Sequence, residues 1–550
     1  MHYSIISTNI LEYPLDDTSI IDNLTGILFD TLFIYLFSCL LTYGKPKSAT
    51  AITFIITFIW AFCNIIYSRF FNSYLTISAI VHGTSIFTPI VFRSIIQGFE
   101  LKDIYFIILP IFFYSFYRKV VAPTITKTVF TLCMFLLLSI SFDLMAHAFY
   151  CISNPNCRYL SYYILRLNSR HFAKHHTVCE PLITTFYRGT VRMLSTEIND
   201  EISGNMKLST NQMKIINSTI NDSKNSIIPF DNSATQNIIF IIVESYMSFT
   251  SEMIVNGKEI TPFLNSLRHD STIYYNGHVT PNITLGESSD GQFIYMTGLL
   301  PLRSSITISK VRNKVLPGLP KILSNINYRS RMIIPTQPSL WNQSTMCQKY
   351  GFQQLFSSED YDNSHRQELN DKEIFELASR IDNNYKQQKF LSVILTVSMH
   401  QPYVEPIDNN FSLEGSNLSD ELKNYLNACH YTDDCIRNYI NDLKKNNLYN
   451  NSLIIITADH HVHNTDFGSN FNIELPIYII NGKVNNNIAW NGICNQIDVY
   501  TTILNLLGIK TYWYGLGHSL LSSKYKNSLS NNIWDISDMI ILSDYFYNKK

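Results

Sequence analysis

Several apolar runs in the second half of this 550-residue chain end in side chains that can bind metals, phosphates or substrates. They are Glu244 after Asn237-IIFIIV, Trp341 in the segment after Arg331-MIIPT, His400 after Phe390-LSVILTVSM, and Asp459 with His460 after Ser452-LIIITA. Runs of this kind, bounded by turn residues, are typical of buried strands in a mostly parallel sheet. Ligands of open α/β sheets bind beyond the carboxyl ends of the strands. We therefore expect these side chains to lie at one site.

Glu244, Asp459 and His460 form the most specific part of this set. They offer two hard oxygen ligands and one borderline nitrogen, which suits Mn²⁺, Mg²⁺ or Zn²⁺ better than a soft metal. The competing interpretation is an exposed loop with a helix-capping Asp and incidental histidines, and it accounts for His461 and His463 equally well. For Asp459 and His460 the coincidence with the other strand ends favours a metal site.

A candidate nucleophile lies in the segment Thr284-LGESSDGQF, which follows a turn and opens a predicted helix. A hydroxyl at a helix N-terminus lies where backbone N–H groups and the helix dipole favour a phosphate. Metal coordination would lower the pKa of that hydroxyl and make it a usable nucleophile. Ser288 and Ser289 are the candidates, although Ser-Ser-Asp-Gly taken alone is only a helix-capping motif.

The elements that must position these residues follow from the surrounding pattern. A fifth apolar run, Leu475-PIYIING, predicts a further strand, and polar stretches at Asp371–Asn384 and Leu418–Asn446 predict helices between the strands. Alternating strands and helices indicate a doubly wound α/β domain with a mostly parallel sheet over residues 236–550.

The first 150 residues are membrane-like. They contain five apolar segments, at about residues 25–43, 49–67, 75–96, 103–117 and 127–149. A helix needs about 20 apolar residues to cross a bilayer, so residues 1–150 predict a bundle of about five transmembrane helices. The first segment begins too late for a cleaved signal peptide, and the Lys and Arg residues of the loops do not decide the orientation.

Residues 151–235 are predicted to connect the two regions. The stretch Tyr159–Arg192, rich in Tyr, Arg and His, predicts either a helix at the membrane surface or a packed linker helix. Residues 196–235 are polar and are expected to run over the surface of the following domain.

Composition excludes some functions. The formal net charge of −1 gives no reason to expect nucleic-acid binding, which needs a basic face. No Cys-x-x-Cys pair occurs, so a zinc ribbon or thioredoxin-type site is disfavoured. The spacings Cys151/Cys157 and Cys429/Cys435 allow small disulfides in an oxidising compartment, and buried free thiols are the equal alternative.

The order of these residues resembles the alkaline phosphatase/sulfatase superfamily. With five N-terminal spans, the chain is similar to the lipoteichoic acid synthases and the lipid A phosphoethanolamine transferases. Gly286-ESSDGQF resembles the nucleophile motif of the synthases, Gly-Lys-Thr-Ser-Asp-Ser-Glu-Phe, with Ser288 in place of the nucleophilic Thr. The synthases carry a basic residue two positions after the Trp, where this chain has Gln343. A formylglycine sulfatase is disfavoured because Cys-x-Pro-x-Arg is absent.

The resemblance implies an α/β sulfatase-like catalytic domain and a role for each candidate residue. The implied metal ligands are Glu244, Ser288, Asp459 and His460, the implied catalytic residues are Ser288 and His400, and the implied substrate-binding residues are Trp341, Asn342, His400, His463 and Ser289.

The resemblance also implies a reaction. A phospholipid donor would pass its phosphoglycerol or phosphoethanolamine headgroup through a covalent phospho-Ser288 to a cell-envelope glycan or glycolipid, with a divalent cation as cofactor. The protein would be a multi-pass protein of the cell membrane, with its catalytic domain outside the cytoplasm. A membrane-bound sulfatase-like hydrolase or phosphodiesterase is one alternative. The other is a polytopic sensor or transporter whose outer domain only binds a ligand.

Overall fold

The structure is a computed structural model. It describes residues 17–71, 75–77, 80, 103, 108–113, 124–131, 133–134, 189–202, 206–230, 237–362, 367–401, 403, 411, 413, 415–462, 467, 471–522, 524–529, 532–543 and 545–547. The chain divides into two compact units. The first comprises Met1–Gly204 with Arg303–Ser305, and the second comprises Asn205–Leu302 with Ile306–Lys550.

Three helices are described in the first unit: α1 (Asp17–Leu41), α2 (Pro46–Phe71) and α3 (Thr190–Ile202). Asp30 of α1 caps α3, because its carboxylate accepts hydrogen bonds from the backbone N–H groups of Thr190 and Val191 at 2.6 and 3.0 Å.

Within the described residues, one helical segment, Lys47–Tyr67 in α2, is long and apolar enough to cross a membrane, and Gly26–Leu41 in α1 is a shorter apolar helix. These helices coincide with the first two predicted spans. Most of the spans predicted at 75–96, 103–117 and 127–149 falls outside the described residues, as does most of Tyr159–Arg192. The five-helix bundle therefore stays a prediction.

The second unit alternates strands with helices. Its strands are β1 (Asn237–Val243), β2 (Ile254–Val255), β3 (Lys258–Glu259), β4 (Tyr274–Thr280), β5 (Arg329–Ile333), β6 (Gln354–Phe356), β7 (Phe390–Leu395), β8 (Ser452–Ala458), β9 (Leu475–Ile480) and β10 (Cys494–Asn495). Its α-helices are α4 (Thr210–Asn225), α5 (Pro262–His269), α6 (Ser288–Thr297), α7 (Thr307–Val311), α8 (Leu319–Ser324), α9 (Gln343–Tyr350), α10 (Asp371–Asn384), α11 (Asp420–Lys445), α12 (Asp498–Leu506) and α13 (Ile533–Leu542). Short 3₁₀ helices lie at Ser248–Glu252, Leu340–Asn342, Ser358–Asp360 and Tyr449–Asn451.

Eight of these strands form one sheet in the order β10-β4-β9-β8-β1-β7-β5-β6. Every neighbouring pair is parallel except the two pairs that contain β9, which runs antiparallel to both β4 and β8. The prediction of a mostly parallel α/β sheet is therefore confirmed. β2 and β3 form a separate antiparallel hairpin.

The central strands carry the core. Every residue of β1, β7 and β8 is buried, as expected for parallel strands that are covered on both faces. Each fully buried Ile, Val or Leu side chain contributes about 1.5–3 kcal/mol relative to an exposed one. This packing fixes the register of β1 against β8, from Asn237 opposite Ser452 to Val243 opposite Ala458.

The predicted helices match α10 and α11 closely, because both begin at clear caps. The Asn370 side chain accepts from the N–H of Glu373 in a capping box, and the Ser419 side chain accepts from the N–H of Leu422. Cys429 and Cys435 lie on α11 as free buried thiols, so the free-thiol alternative holds for this pair. Cys151 and Cys157 lie outside the described residues.

Three strands of the main sheet were not predicted. β4 reads Tyr-Tyr-Asn-Gly-His-Val-Thr, and its pairing with β9 is interrupted between Asn276 and Val279, so it lacks an apolar run. β6 and β10 contain three and two residues, which is too short for a periodic signal.

Part of the predicted connector also has regular structure. Helix α4 begins at a capping box formed by Ser209 and Gln212. It lies within the second compact unit, where the Ser223 hydroxyl donates to the carbonyl oxygen of Gly517 at 2.7 Å.

Candidate functional site

Two adjacent parallel strands bring three candidate metal ligands together. Glu244 directly follows β1, and Asp459 and His460 directly follow β8. The backbone N–H of Asp459 donates to the carbonyl oxygen of Val243 at 3.1 Å, so the pairing of the two strands continues to the ligands. On the other side, the N–H of Glu244 donates to the Thr396 hydroxyl at 3.0 Å, beyond the end of β7.

These three side chains form one buried cluster. One ligand atom from each of Glu244, Asp459 and His460 lies within 4.8 Å of the others. Nε2 of His460 lies 3.4 Å from Oε1 of Glu244 and 3.6 Å from Oδ2 of Asp459. The sequence placed these residues at one sheet edge, and the structure brings them within coordinating distance of a common point.

Ser288 adds a hydroxyl to the cluster from the first turn of α6. Its Oγ donates to Oε2 of Glu244 at 3.2 Å and lies 3.0 Å from Nε2 of His460. Glu287, which precedes it, has φ 48° and ψ −119°, an unfavourable backbone conformation for a residue with a side chain. This sharp turn places Ser288 on the side of α6 that faces the cluster.

Helix α6 approaches the end of β8 closely because residue 291 is a glycine. A methyl group on Gly291 would lie 2.4 Å from the carbonyl oxygen of Asp459. The amide nitrogen of Gln496 donates to that same oxygen at 2.6 Å. The absence of a side chain at residue 291 and the hydrogen bond from Gln496 together set the distance between α6, which carries Ser288, and the end of β8.

Asp290 organises the loop that leads into α6. Its Oδ2 accepts three hydrogen bonds, from the backbone N–H groups of Thr284 and Gly286 and from the Thr284 hydroxyl, each at 2.9 Å. The Ser289 hydroxyl donates to the carbonyl oxygen of Gly286 at 2.6 Å, and Ser289 is buried. The hydroxyl of Ser288 therefore faces the cluster, whereas that of Ser289 bonds within its own loop.

The pKa values of Glu244, Asp459 and His460 are shifted because two carboxylates and an imidazole are buried close together. Burial, followed by repulsion from Glu244, raises the pKa of Asp459 to about 7. Burial alone would raise the pKa of Glu244, but the charge and hydrogen bond of His460 outweigh it, and this pKa is lowered. Burial opposes the charged form of His460, yet Asp459 and Glu244 raise its pKa well above the ordinary value. Burial also raises the pKa of Glu287 to about 8.

A divalent cation fits this donor set. Two carboxylates, one imidazole and one hydroxyl converge in a buried space. The negative charges of Glu244 and Asp459 repel each other there, and a bound cation would neutralise them. The three oxygen donors suit Mg²⁺ or Mn²⁺, and the combination of carboxylates with an imidazole also suits Zn²⁺.

The remaining predicted residues follow neighbouring strands or lie outside the residues that the structure describes. His400 is exposed after β7, with its Nδ1 2.7 Å from the carbonyl oxygen of Gln401. A charge on His400 is among the smaller causes that lower the pKa of Glu244, after the charge and hydrogen bond of His460. Trp341 and Asn342 lie in the 3₁₀ helix after β5, where Asn342 has φ 54°. His463 lies outside the described residues.

Sequence reasoning missed four residues that hold the cluster together: Ser245, Asp290, Gly291 and Gln496. Gly291 and Asp290 stand in the motif that identified Ser288, but an Asp in the first helical turn reads as an ordinary capping residue. No local signal marks Ser245 or Gln496, because Asp459, to which both donate a hydrogen bond, lies 214 and 37 residues away in the chain.

Comparisons with known proteins agree on the second unit. A family model described as Sulfatase matches residues 236–509. Lipoteichoic acid synthase 2 of Bacillus subtilis is 27% identical over 525 residues, which cover 88% of this chain and 76% of that protein. The lipoteichoic acid synthase of Staphylococcus aureus strain USA300 is 30% identical over 322 residues, which cover 54% of this chain. The match spans about half, 48%, of that relative's length.

A solved structure has the same fold as the second unit. The lipoteichoic acid synthase LtaP from Listeria monocytogenes aligns with a TM-score of 0.50 and 22% identity, and the alignment covers 56% of this chain and 81% of that one. At this identity, the likeness concerns the fold alone.

Proposed function

Residues 236–509 form a sulfatase-family domain, and on this premise we propose that the chain is a membrane-anchored phosphotransferase. It takes the phospho-headgroup of a phospholipid, phosphoglycerol or phosphoethanolamine, and transfers it to a cell-envelope glycan or glycolipid. The transfer passes through a covalent phosphoserine at Ser288. The similarity to lipoteichoic acid synthase 2 of Bacillus subtilis over 88% of the chain supports this reaction class.

One observation carries the proposal. The Ser288 hydroxyl lies 3.2 Å from a carboxylate oxygen of Glu244 and 3.0 Å from the imidazole of His460, at the N-terminus of α6. A helix N-terminus favours phosphate, and a binding module needs no hydroxyl inside a metal-binding cluster. This arrangement therefore favours an enzyme over a sensor or transporter.

Glu244, Ser288, Asp459 and His460 would hold the divalent cation. When bound, the cation supplies positive charge that lowers the pKa of a hydroxyl and neutralises phosphoryl oxygens. The residues of the chain set the geometry: the turn at Glu287 aims the Ser288 oxygen, and Asp290 holds the loop before it.

The reaction has two balanced steps. In the first, Ser288, whose hydroxyl proton has passed to solvent before the attack, forms an Oγ–P bond to the phospholipid phosphorus, and the P–O bond to diacylglycerol breaks. His400 protonates the departing diacylglycerol oxygen through Nε2, since Nδ1 lies against the Gln401 carbonyl oxygen. In the second, an acceptor hydroxyl attacks the phosphorus, gives its proton to His400 and releases Ser288.

Intact-mass analysis of the full-length protein in detergent with Mn²⁺ and a phospholipid donor tests the intermediate. Phosphatidylglycerol and phosphatidylethanolamine are supplied in separate reactions. The expected result is an adduct on Ser288 with the mass of one phospho-headgroup, and none on Ser288→Ala. Ser266→Ala, an exposed serine on α5, is the matched control and should form the adduct. An adduct of equal yield on Ser288→Ala would refute the nucleophile assignment.

Acceptor dependence separates the transferase from a hydrolase. A transferase retains the headgroup on Ser288, or releases it slowly, until a glycolipid acceptor is added. A phosphodiesterase of the same fold releases free glycerol phosphate or phosphoethanolamine at full rate without an acceptor. If adding the glycolipid does not increase the rate at which the headgroup is released, the result would favour the hydrolase.

We also propose that the N-terminal region anchors the protein in the cell membrane as a multi-pass bundle, with the catalytic domain outside the cytoplasm. The apolar helix Lys47–Tyr67 and the similarity to the Bacillus subtilis protein across 88% of the chain support an anchor. Cysteine-accessibility labelling of intact cells, at Ser266→Cys on the domain surface, tests the orientation. Labelling only after permeabilisation would contradict it.

A further inference from the structure

Ser245 occupies an unusual position beside the cluster. It directly follows Glu244, is buried, and has φ 49°. This left-handed conformation is unfavourable for a residue that carries a side chain, and surrounding contacts must hold it in place. Glycine would adopt it without strain, so the presence of serine points to a use for the hydroxyl.

The contacts of Ser245 reach carboxylates from two different strands. Its hydroxyl donates to Oε1 of Glu244 at 2.8 Å. Its backbone N–H donates to Oδ1 of Asp459 at 2.9 Å. The left-handed turn is what allows one residue to present both donors to the two carboxylates.

These bonds fix the orientation of both carboxylates at the cluster. With Oδ1 of Asp459 held by the N–H groups of Ser245 and His460, Oδ2 is the oxygen that lies 3.6 Å from Nε2 of His460. Oε1 of Glu244 accepts from the Ser245 hydroxyl and lies 3.4 Å from the same nitrogen, and Oε2 receives the hydroxyl of Ser288 at 3.2 Å. Each carboxylate is thus fixed in rotation about its terminal bond.

Helix α11 supports the turn from the outside. The hydroxyl of Tyr425 donates to the carbonyl oxygen of Ser245 at 2.9 Å and accepts from the N–H of Met247 at 3.2 Å. Tyr425 is fully buried. A single phenol therefore ties the residues after β1 to a helix that belongs to the body of the domain.

We propose that Ser245 is a positioning residue for the divalent cation, and that Tyr425 holds it in the conformation this requires. The inference rests on the proposed function, because it assumes that Glu244 and Asp459 bind a cation. Groups that orient metal ligands through hydrogen bonds typically change metal affinity by about 10- to 100-fold when removed. The Ser245 hydroxyl orients Glu244 directly, so its removal should change the affinity within that range.

The test measures Mn²⁺ binding directly, by titration calorimetry on the full-length protein in detergent, with activity not used as a readout. Ser245→Ala and Ser245→Gly both remove the hydroxyl, and Ser245→Gly also removes the backbone strain. Both are expected to raise the Mn²⁺ dissociation constant by at least about 10-fold. Tyr425→Phe is expected to raise it by a smaller factor, since the hydroxyl of Ser245 remains.

Ser248→Ala is the matched control. Ser248 is also buried, lies three residues further along, and donates its hydroxyl to the carbonyl oxygen of Glu474 at 2.8 Å rather than to a ligand. It should leave the Mn²⁺ dissociation constant within about twofold while lowering the thermal midpoint as much as Ser245→Ala does. Equal losses of affinity in Ser245→Ala and Ser248→Ala would mean that both act through general destabilisation.

Two further outcomes separate this inference from the proposed function. If the wild-type protein binds Mn²⁺ and both Ser245 variants bind it equally tightly, the positioning role is overturned while the metal site stands. If neither Mn²⁺, Zn²⁺ nor Mg²⁺ binds the wild-type protein, the metal assignment fails, and the role of Ser245 fails with it. If Ser245→Ala does not fold, the comparison rests on Ser245→Gly, which relieves the backbone strain.

Discussion

A single methyl group on Gly291 is expected to separate the proposed nucleophile, Ser288, from the proposed metal ligands. Residue 291 lies in the first half of α6, three residues after Ser288. A Cβ there would lie 2.4 Å from the carbonyl oxygen of Asp459 and 2.9 Å from its carbonyl carbon and Cα. The contacting atoms are backbone atoms of Asp459, one of the proposed metal ligands, so no flexible side chain can give way.

The size of the effect follows from this distance. Real Cβ contacts essentially never fall below 3.0 Å, so α6 and the end of β8 must move apart by about 0.6 Å. A misplacement of about 1 Å at a reacting centre can reduce a rate about 100-fold, which leads us to expect a loss in kcat/KM of roughly 10- to 100-fold. Alanine is about 1 kcal/mol better than glycine in a helix interior. That gain offsets part of the strain, so stability should fall much less than activity.

Headgroup transfer from a labelled phospholipid, measured on the full-length Gly291→Ala protein, gives the rate, and thermal unfolding gives the stability. Gly257→Ala is the control, because its methyl group meets no atom within 4 Å, although its φ of +77° adds strain at an exposed turn. It should keep wild-type kcat/KM despite a small loss of stability. Wild-type transfer by Gly291→Ala would show that the spacing between α6 and Asp459 does not limit the reaction.

Three further outcomes concern stability. Arg331 and Asp382 form an ion pair at 3.1 Å, and their side chains are 1% and 0% exposed. Asp382→Asn should lower the free energy of unfolding, measured with denaturant, by about 3–5 kcal/mol because it leaves the buried charge of Arg331 unpaired. A decrease of less than about 1 kcal/mol would contradict this. Burial raises the pKa of Asp433 to about 7, so the folded state holds a proton that the unfolded state releases near its lower, ordinary pKa. Its contribution to stability therefore falls as pH rises from about 4 to about 7, and Asp433→Asn should flatten that part of the stability–pH curve; an unchanged slope would refute it. Removal of the cation with EDTA should lower the unfolding midpoint of the wild-type protein. The loss corresponds to about 2.7 kcal/mol if the cation had been present at 100 times its dissociation constant. The midpoint of Asp459→Ala should not change, and equal shifts in both proteins would exclude a cation at this cluster.

The sequence alone predicted the central part of the sheet and three of the four proposed ligands. Four apolar runs correspond to β1, β7, β8 and β9, because buried strands read as near-continuous apolar runs. The fifth run overlaps only the end of β5, whose first three residues are Arg329, Ser330 and Arg331. Glu244, Asp459 and His460 could be placed together because parallel neighbouring strands end at the same edge. The N-terminal spans were predicted in the same way, from apolar length, and α1 and α2 lie at the first two.

The resemblance to a family supplied what the local pattern did not. Ser-Ser-Asp-Gly is a capping motif in many helices, and its residues say nothing about which hydroxyl faces a metal. The motif of the synthases favoured Ser288. The structure agrees in geometry, because the Ser288 hydroxyl meets Glu244 and His460 whereas the Ser289 hydroxyl meets the carbonyl of Gly286.

Only the tertiary structure decided the strand order, the reversal of β9, and the contacts that hold the ligands in place. Ser245 and Asp459 are 214 residues apart in the chain, and Gln496 lies 37 residues from Asp459. A local sequence pattern reports burial and periodicity, which depend on near neighbours. Hydrogen bonds between distant segments depend on how the whole sheet packs. The roles of Gly291 and Ser245 follow from their contacts with Asp459, which only the folded chain brings against them.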